Sequence, residues 1–152
     1  MSRTKQEKNK ALVLEAFDTL FNKRDYVAAE RYWSPDYIQH SAHVAPGRGG
    51  LFNLIKSLPP KLKYEPGAIV ADGDFVMVHG RFSDFGLPVN WIAADILRIK
   101  DSILVEHWDV IQDERPASNQ RAASRCSAMF SRSERCGSGE RDISNASRLE
   151  RL

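Results

Sequence analysis

The spacing of apolar positions changes part-way along the chain. Residues 6–22 follow helical spacing, with Val13, Leu14, Phe17, Leu20 and Phe21 on one stripe and Lys10 in register with it. Asp25 is placed to cap a second, shorter helix, YVAAERYW, that stops near Ser34-Pro35. The stretch PDYIQHSAHVAPGRGG reads as irregular. A third helix carries Leu51, Phe52, Leu54, Ile55 and Leu58, and Pro59-Pro60 stops it. From there the period falls to two. YEPGAIVA, FVMVHGRFS, VNWIAADILRI and ILVEHWDVIQ are strand candidates, with turns at Asp72-Gly73-Asp74 and Lys100-Asp101-Ser102. Helices first and antiparallel strands after predict an α+β fold.

The last two strands carry the chemistry. A three-residue loop at 100–102 pairs Ile99 with Ile103, so that Asp95 faces His107 and Ala93 faces Asp109. Trp91, Ala93, Asp95, His107 and Asp109 then share one sheet face, and Ile92, Ala94, Ile96, Trp108 and Val110 share the other. A two-residue loop would instead bring Asp95 beside Trp108. The first face mixes large apolar groups with two carboxylates and an imidazole. Facing water, it would expose the apolar groups; sealed in a core, it would strip the charges of hydration at several kcal/mol each. A pocket between sheet and helices answers both objections. The second face is apolar and suits a partner subunit.

A carboxylate in an apolar cavity becomes a better base near neutral pH, and a neighbouring imidazole can take or give a proton. Asp109, His107 and Asp95 are therefore the candidate catalytic groups, with Asp95 orienting His107. His40, His79, Tyr37, Trp91 and Phe17 are the candidate substrate contacts. His40, His79, His107 and Asp95 lack the local spacing of a metal site, and neither metal nor cofactor is expected. Gly47, Gly49 and Gly50 have no Lys-Ser/Thr after them and no strand before, so they read as the start of the third helix, not as a phosphate loop.

Composition narrows the class. The 152 residues are 42% hydrophobic with a net charge of +2, which suits one globular domain and gives no argument for nucleic acid. Mean hydropathy is −0.43, and no apolar run approaches the roughly 18 residues a bilayer span needs, so a cytoplasmic protein is expected. Charge divides the chain. Residues 1–114 carry 14 basic and 16 acidic side chains, whereas 115–152 carry 8 Arg, no Lys and 4 acids, along with 8 Ser. The expected organisation is a domain over 1–114 and a largely disordered Arg/Ser-rich tail over 115–152. Cys126 and Cys136 lie in that tail and read as ordinary thiols.

Two blocks carry a family resemblance: Tyr37-Ile38-Gln39-His40-Ser41, and Asp95-Ile96-Leu97-Arg98-Ile99 followed by Glu106-His107-Trp108-Asp109-Val110. Over about residues 8–114 the chain resembles the SnoaL-like proteins of the nuclear transport factor 2-like superfamily. The resemblance implies a cone-shaped, curved antiparallel sheet packed on three N-terminal helices, a deep pocket and a homodimer through the outer sheet face. It implies polyketide cyclase chemistry: an intramolecular aldol step without metal or cofactor, on a small hydrophobic carbonyl-containing ligand, with Asp109 as acid/base. Ser41 stands where the family commonly has Asn, and Ser102-Ile103 replaces a usual Gly-Lys turn. The tail departs from the family after Glu114. Two other activities fit the same fold: a hydrolase of the limonene epoxide hydrolase kind, in which Asp95 and Asp109 would need Arg81 between them, and a non-catalytic ligand-binding dimer.

Overall fold

A computed structural model describes residues 3–115; the tail expected over 115–152, with both cysteines, falls outside them save for Arg115. Helix α1 spans Lys5–Phe17. Its start is closed by a capping box: the Glu7 N–H donates to Thr4 Oγ1 at 3.2 Å, and the Thr4 N–H donates to Glu7 Oε2 at 2.7 Å. A π-helical turn, Asp18–Asn22, continues it and closes with the Lys23 N–H donating to the Asp18 carbonyl. Val13, Phe17, Leu20 and Phe21 of the predicted stripe are buried, with Ala16 beside them, whereas Leu14 is only half-buried.

Helix α2 is the single turn Tyr26–Ala29, capped as expected by Asp25, whose carboxylate accepts the Ala28 N–H at 3.0 Å. A 3-10 turn over Glu30–Tyr32 leads into strand β1, Trp33–Gln39. Here the sequence reading is corrected: residues 35–39 of the irregular stretch are strand, together with Trp33 and Ser34 at the expected end of the second helix. Pro35 and a register shift between Trp33 and Ile38 masked it, and an edge strand tolerates both. Helix α3 spans Gly47–Ser57. Arg24 ties down its C-terminal end, donating to the carbonyls of Ile55 at 2.7 Å, Leu58 at 3.0 Å and Pro59 at 3.1 Å. A cation on otherwise unpaired helix-end carbonyls satisfies both hydrogen bonding and the helix dipole.

Strands β2 (Lys63–Asp72), β3 (Phe75–Ser83), β4 (Trp91–Lys100) and β5 (Ile103–Asp113) match the four predicted strands. The sheet order is β1-β5-β4-β3-β2. β1 runs parallel to β5 and the other pairs are antiparallel, so the sheet is mixed, not wholly antiparallel. One face, with Val76, Val78, Ala93, Leu97, Ile99 and Leu104 nearly or fully buried, packs against the helices. Gly80 lies on this face under the Tyr64 ring. A Cβ there would meet the Tyr64 hydroxyl at 2.3 Å, so only glycine lets the ring lie flat on the strand. Among the described residues no helix is long and apolar enough to cross a membrane.

The β4–β5 register differs from the expected one in two places. The turn is the two-residue Asp101-Ser102, with Lys100 opposite Ile103. A register shift then follows between Arg98 and Ile99, with Ile99 opposite Leu104 but Arg98 opposite Glu106. The turn alone would have moved Asp95 beside Trp108; the bulge inserts one more residue and restores the facing. Asp95 consequently pairs with Asp109, and Leu97 with His107. The predicted set of inward residues therefore holds, although its partners are shifted by two positions.

Candidate active site

A cavity opens between the helices and the inner sheet face. Phe17 and Phe21 wall it from α1 and the π-helical turn, Leu51, Leu54 and Ile55 from α3, Leu58 from the residue just after it, and Trp33, Tyr37 and Gln39 from β1. Phe82, Phe85 and Trp91 close the other end, and Asp95, His107, Asp109 and Ile111 form the floor. The aromatic wall is interlocked. Phe17 and Phe21 meet edge-on at 5.0 Å, Phe17 meets Tyr64 at 5.2 Å, and Trp33 meets Phe52 at 5.7 Å. No Lys or Arg lines the cavity among the described residues.

The floor is ordered by one chain of hydrogen bonds. His107 Nε2 lies 2.9 Å from Asp95 Oδ1, and His107 Nδ1 lies 2.7 Å from Gln39 Oε1. Gln39 Oε1 also accepts the Ser41 backbone N–H at 3.1 Å. That N–H can only donate, which fixes the amide with its oxygen toward His107. Nδ1 must therefore carry a hydrogen. The Nε2···Oδ1 contact then holds one further proton, on either the imidazole or the carboxyl. Asp95 is only 4% exposed. Burial pushes its pKa up, partly offset by His107 and reinforced by the facing Asp109. Asp95 Oδ2, the Gln39 Nε2 amide and the Trp33 Nε1–H are buried without a partner among the described residues. An unpaired group of this kind costs about 1–3 kcal/mol, and all three belong to residues lining the cavity.

Five of the eight predicted site residues come together here: Asp109, His107, Asp95, Tyr37 and Trp91, with Phe17 on the opposite wall as a sixth. The other two do not. His79 is exposed on the outer face, because on β3 it alternates with the buried Val78 and Gly80. His40 also turns outward, where its Nε2 lies 2.8 Å from Glu106 Oε1 and its ring stacks on Trp108 at 4.8 Å. Both expectations as substrate contacts are corrected by strand parity. Glu106 shares this outward cluster and accepts Arg98 Nε–H at 2.7 Å. These two partners, His40 first, hold its carboxyl below the usual range.

The sequence reading missed Trp33, Gln39, His43 and Phe85. Gln39 lay in the quoted Tyr-Ile-Gln-His block, where its alternation with His40 was the available signal. His43 reaches the cavity mouth because Ser41 Oγ accepts its backbone N–H at 3.2 Å and turns the loop. Its ring lies 5.1 Å from Trp91, which Phe85 flanks at 4.8 Å. Asp95, His107 and Asp109 also present ligating atoms within 4.8 Å of one another. A cation could use all three only if the Asp95–His107 bond opened, since Nδ1 is committed to Gln39.

A family model described as a SnoaL-like domain matches residues 13–107. The chain belongs to the SnoaL-like family. No curated protein matches it significantly. Among solved structures, this SnoaL-like chain is similar to a candidate ketosteroid isomerase from Kribbella flavida DSM 17836, at 19% identity and a TM-score of 0.64 over 76% of this chain and 85% of that one. It is similar to AclR, a candidate hydroxylase from Streptomyces galilaeus, at 28% identity and a TM-score of 0.57, covering 70% and 90%. It is also similar to IdmH, a candidate polyketide cyclase from Streptomyces antibioticus, at 20% identity and a TM-score of 0.55, covering 68% and 91%. The α+β architecture is thus the nuclear transport factor 2-like fold of the family. Such a fold hosts several activities, so the reaction has to be argued from the site.

Proposed function

We propose that this SnoaL-like protein is a cofactor-free acid/base catalyst that enolises a small hydrophobic carbonyl compound in the cavity, for aldol cyclisation or isomerisation. The observation that carries the reading is the floor itself: Asp109 directly across from a buried Asp95 whose other neighbour is the doubly anchored His107. Asp109 removes a proton from a carbon beside a carbonyl, and the electron pair moves onto the carbonyl oxygen. In a cyclisation the enolate carbon attacks a second carbonyl of the same molecule, and the alkoxide formed there takes a proton. In an isomerisation the proton returns at another carbon. The proton held between Asp95 and His107 is available for the oxygen in either case.

The apolar walls exclude water, which strengthens these interactions and selects a hydrophobic ligand. The epoxide hydrolase reading lacks its arginine. Arg81 is engaged by Glu114 at 2.9 Å and Glu65 at 2.9 Å, opposite Ile92, and does not line the cavity. The protein also pairs with a second copy of itself through the apolar outer sheet face.

Hydrogen–deuterium exchange at the α-carbon of cyclic ketones and 1,3-diketones, followed by NMR in D2O, tests the reaction without knowledge of the natural substrate. Wild type should accelerate exchange of at least one such compound, and Asp109→Asn should lower that rate by about 10²–10⁴-fold with folding intact. Exchange at the buffer rate with wild type, or equal rates for the two proteins, rejects the assignment.

A further inference from the structure

We infer that the Trp33 indole N–H, the Gln39 amide N–H and the Tyr37 hydroxyl together form a receptor for one ligand oxygen on the β1 wall of the cavity. The inference rests on the catalytic reading above for its purpose, since the oxygen it fits is the carbonyl that becomes an enolate. Its structural basis is separate. Trp33, Tyr37 and Gln39 all line the cavity. Trp33 Nε1 and Gln39 Nε2 are buried with no acceptor among the described residues. The Tyr37 hydroxyl lies near both donors but forms no hydrogen bond with either, so two buried donors facing one hollow remain open to a ligand oxygen.

The orientation of Gln39 is not free. Its Oε1 is held by the Ser41 N–H and by His107, which leaves Nε2 as the only part of the amide available to a ligand. Trp33 and Gln39 are the hydrogen-bonding side chains next to the Tyr37 hydroxyl, and all three residues line the cavity, so the three groups share one patch of its wall. Burial keeps that phenol protonated, with Asp95 and Asp109 adding to the effect, and the same cavity is lined by Tyr37 and by both carboxylates.

The electrostatics give the cluster its role. The floor holds two carboxylates and the lining holds no Lys or Arg among the described residues. A negative charge developing on a ligand oxygen at the β1 wall is met there by neutral donors, apart from the proton shared by Asp95 and His107. Preorganised N–H and O–H groups in a dry site do this well, because they need no rearrangement as charge appears. Gln39 would then join the two halves of the chemistry, with its oxygen positioning His107 and its nitrogen receiving the ligand. The ligand class narrows accordingly, to compounds that present a carbonyl or enol oxygen toward β1 and an apolar body toward α1 and α3.

The test uses 2-naphthol as an enolate mimic and naphthalene as its oxygen-free counterpart. Both are titrated into the full-length Asp109→Asn protein, which carries one carboxylate fewer against the probe's oxygen. In this background 2-naphthol should bind tighter than naphthalene and move the Trp33 indole N–H resonance downfield. Trp33→Phe and Tyr37→Phe should each weaken naphthol at least about tenfold and leave naphthalene within about twofold. Three results overturn the inference: naphthol binding no tighter than naphthalene, equal losses for the two probes, or an unmoved Trp33 resonance at saturation. Should Trp33→Phe fail to fold, Tyr37→Phe and the resonance still decide. The outcome is distinguishable from that of the exchange assay: naphthol preference without wild-type exchange would retain the receptor and reject the catalyst, and the converse would do the opposite.

Discussion

His107 is held at both nitrogens, and the consequences fall on Asp95. With Nδ1–H given to Gln39, the Asp95 carboxyl and Nε2 share a proton inside a nearly dry wall. Burial raises the Asp95 pKa above its unfolded value. Between those two values the Asp95 carboxyl keeps its proton in the folded chain and loses it in the unfolded one, so its own contribution to stability falls as pH rises through the window. An Asn at 95 keeps the shape, donates to Nε2 and has no charge to bury. The thermal midpoint of Asp95→Asn relative to wild type should therefore improve progressively from pH 4 toward neutrality. Thermal unfolding by circular dichroism across that range checks it, and a pH-independent difference would contradict the assignment of the buried proton. In the sequence, the residue types and the face they share were legible. The hydrogen-bond partners were not, because Gln39 and His107 lie on strands 68 positions apart in the chain and meet only through the parallel β1–β5 pairing.

The β4–β5 hairpin shows how an element can be right in facing and wrong in pairing. Parity survives a shift of two residues but not of one, and here a shorter turn and a bulge each contribute one. Neither is strongly written in the sequence. Asp101 and Ser102 both take left-handed backbone, with φ of 51° and 60°, in a turn whose preferred residues are Asn-Gly or Asp-Gly. Ser102→Gly removes the strain of a side chain at positive φ, and should stabilise the fold by about 1 kcal/mol, read from urea denaturation. A loss of stability would show that Ser102 supports the hairpin in some other way. Strand β1 was hidden for a related reason. Its pairing partner lies some seventy residues later in sequence, and Pro35 with the register shift removes its alternation. The cost of missing it was Trp33 and Gln39, two of the three donors on that wall.

At the scale of the molecule, the outer sheet face stands uncovered by the described residues. Val70, Met77, Ile96 and Trp108 face one another in successive strand pairs, giving an apolar row across four strands. Val110 is 69% exposed, Val70 59% and Met77 49%, an arrangement that needs a partner more than it needs water. The His40–Glu106–Arg98 cluster borders the row. A second copy of the chain, applied face to face, is the proposed cover. Met77→Glu would bury an unpaired carboxylate in that contact and should weaken dimerisation by about 100-fold or more. Sedimentation velocity at micromolar protein measures it; a wild-type monomer, or a variant that dimerises as well as wild type, would reject this interface.

The sequence by itself determined the class of fold, the four long strands, the helical stripe and the inward set of Trp91, Asp95, His107 and Asp109. These depend on local period and on strand parity, which a chain carries in its own order. Only the tertiary structure decided that Asp95 faces Asp109, that His40 and His79 look outward, and that Trp33, Tyr37 and Gln39 line the cavity from β1. Those are matters of which distant segments meet and in what register, and they are set by turn and bulge geometry and by the packing of helices on the sheet.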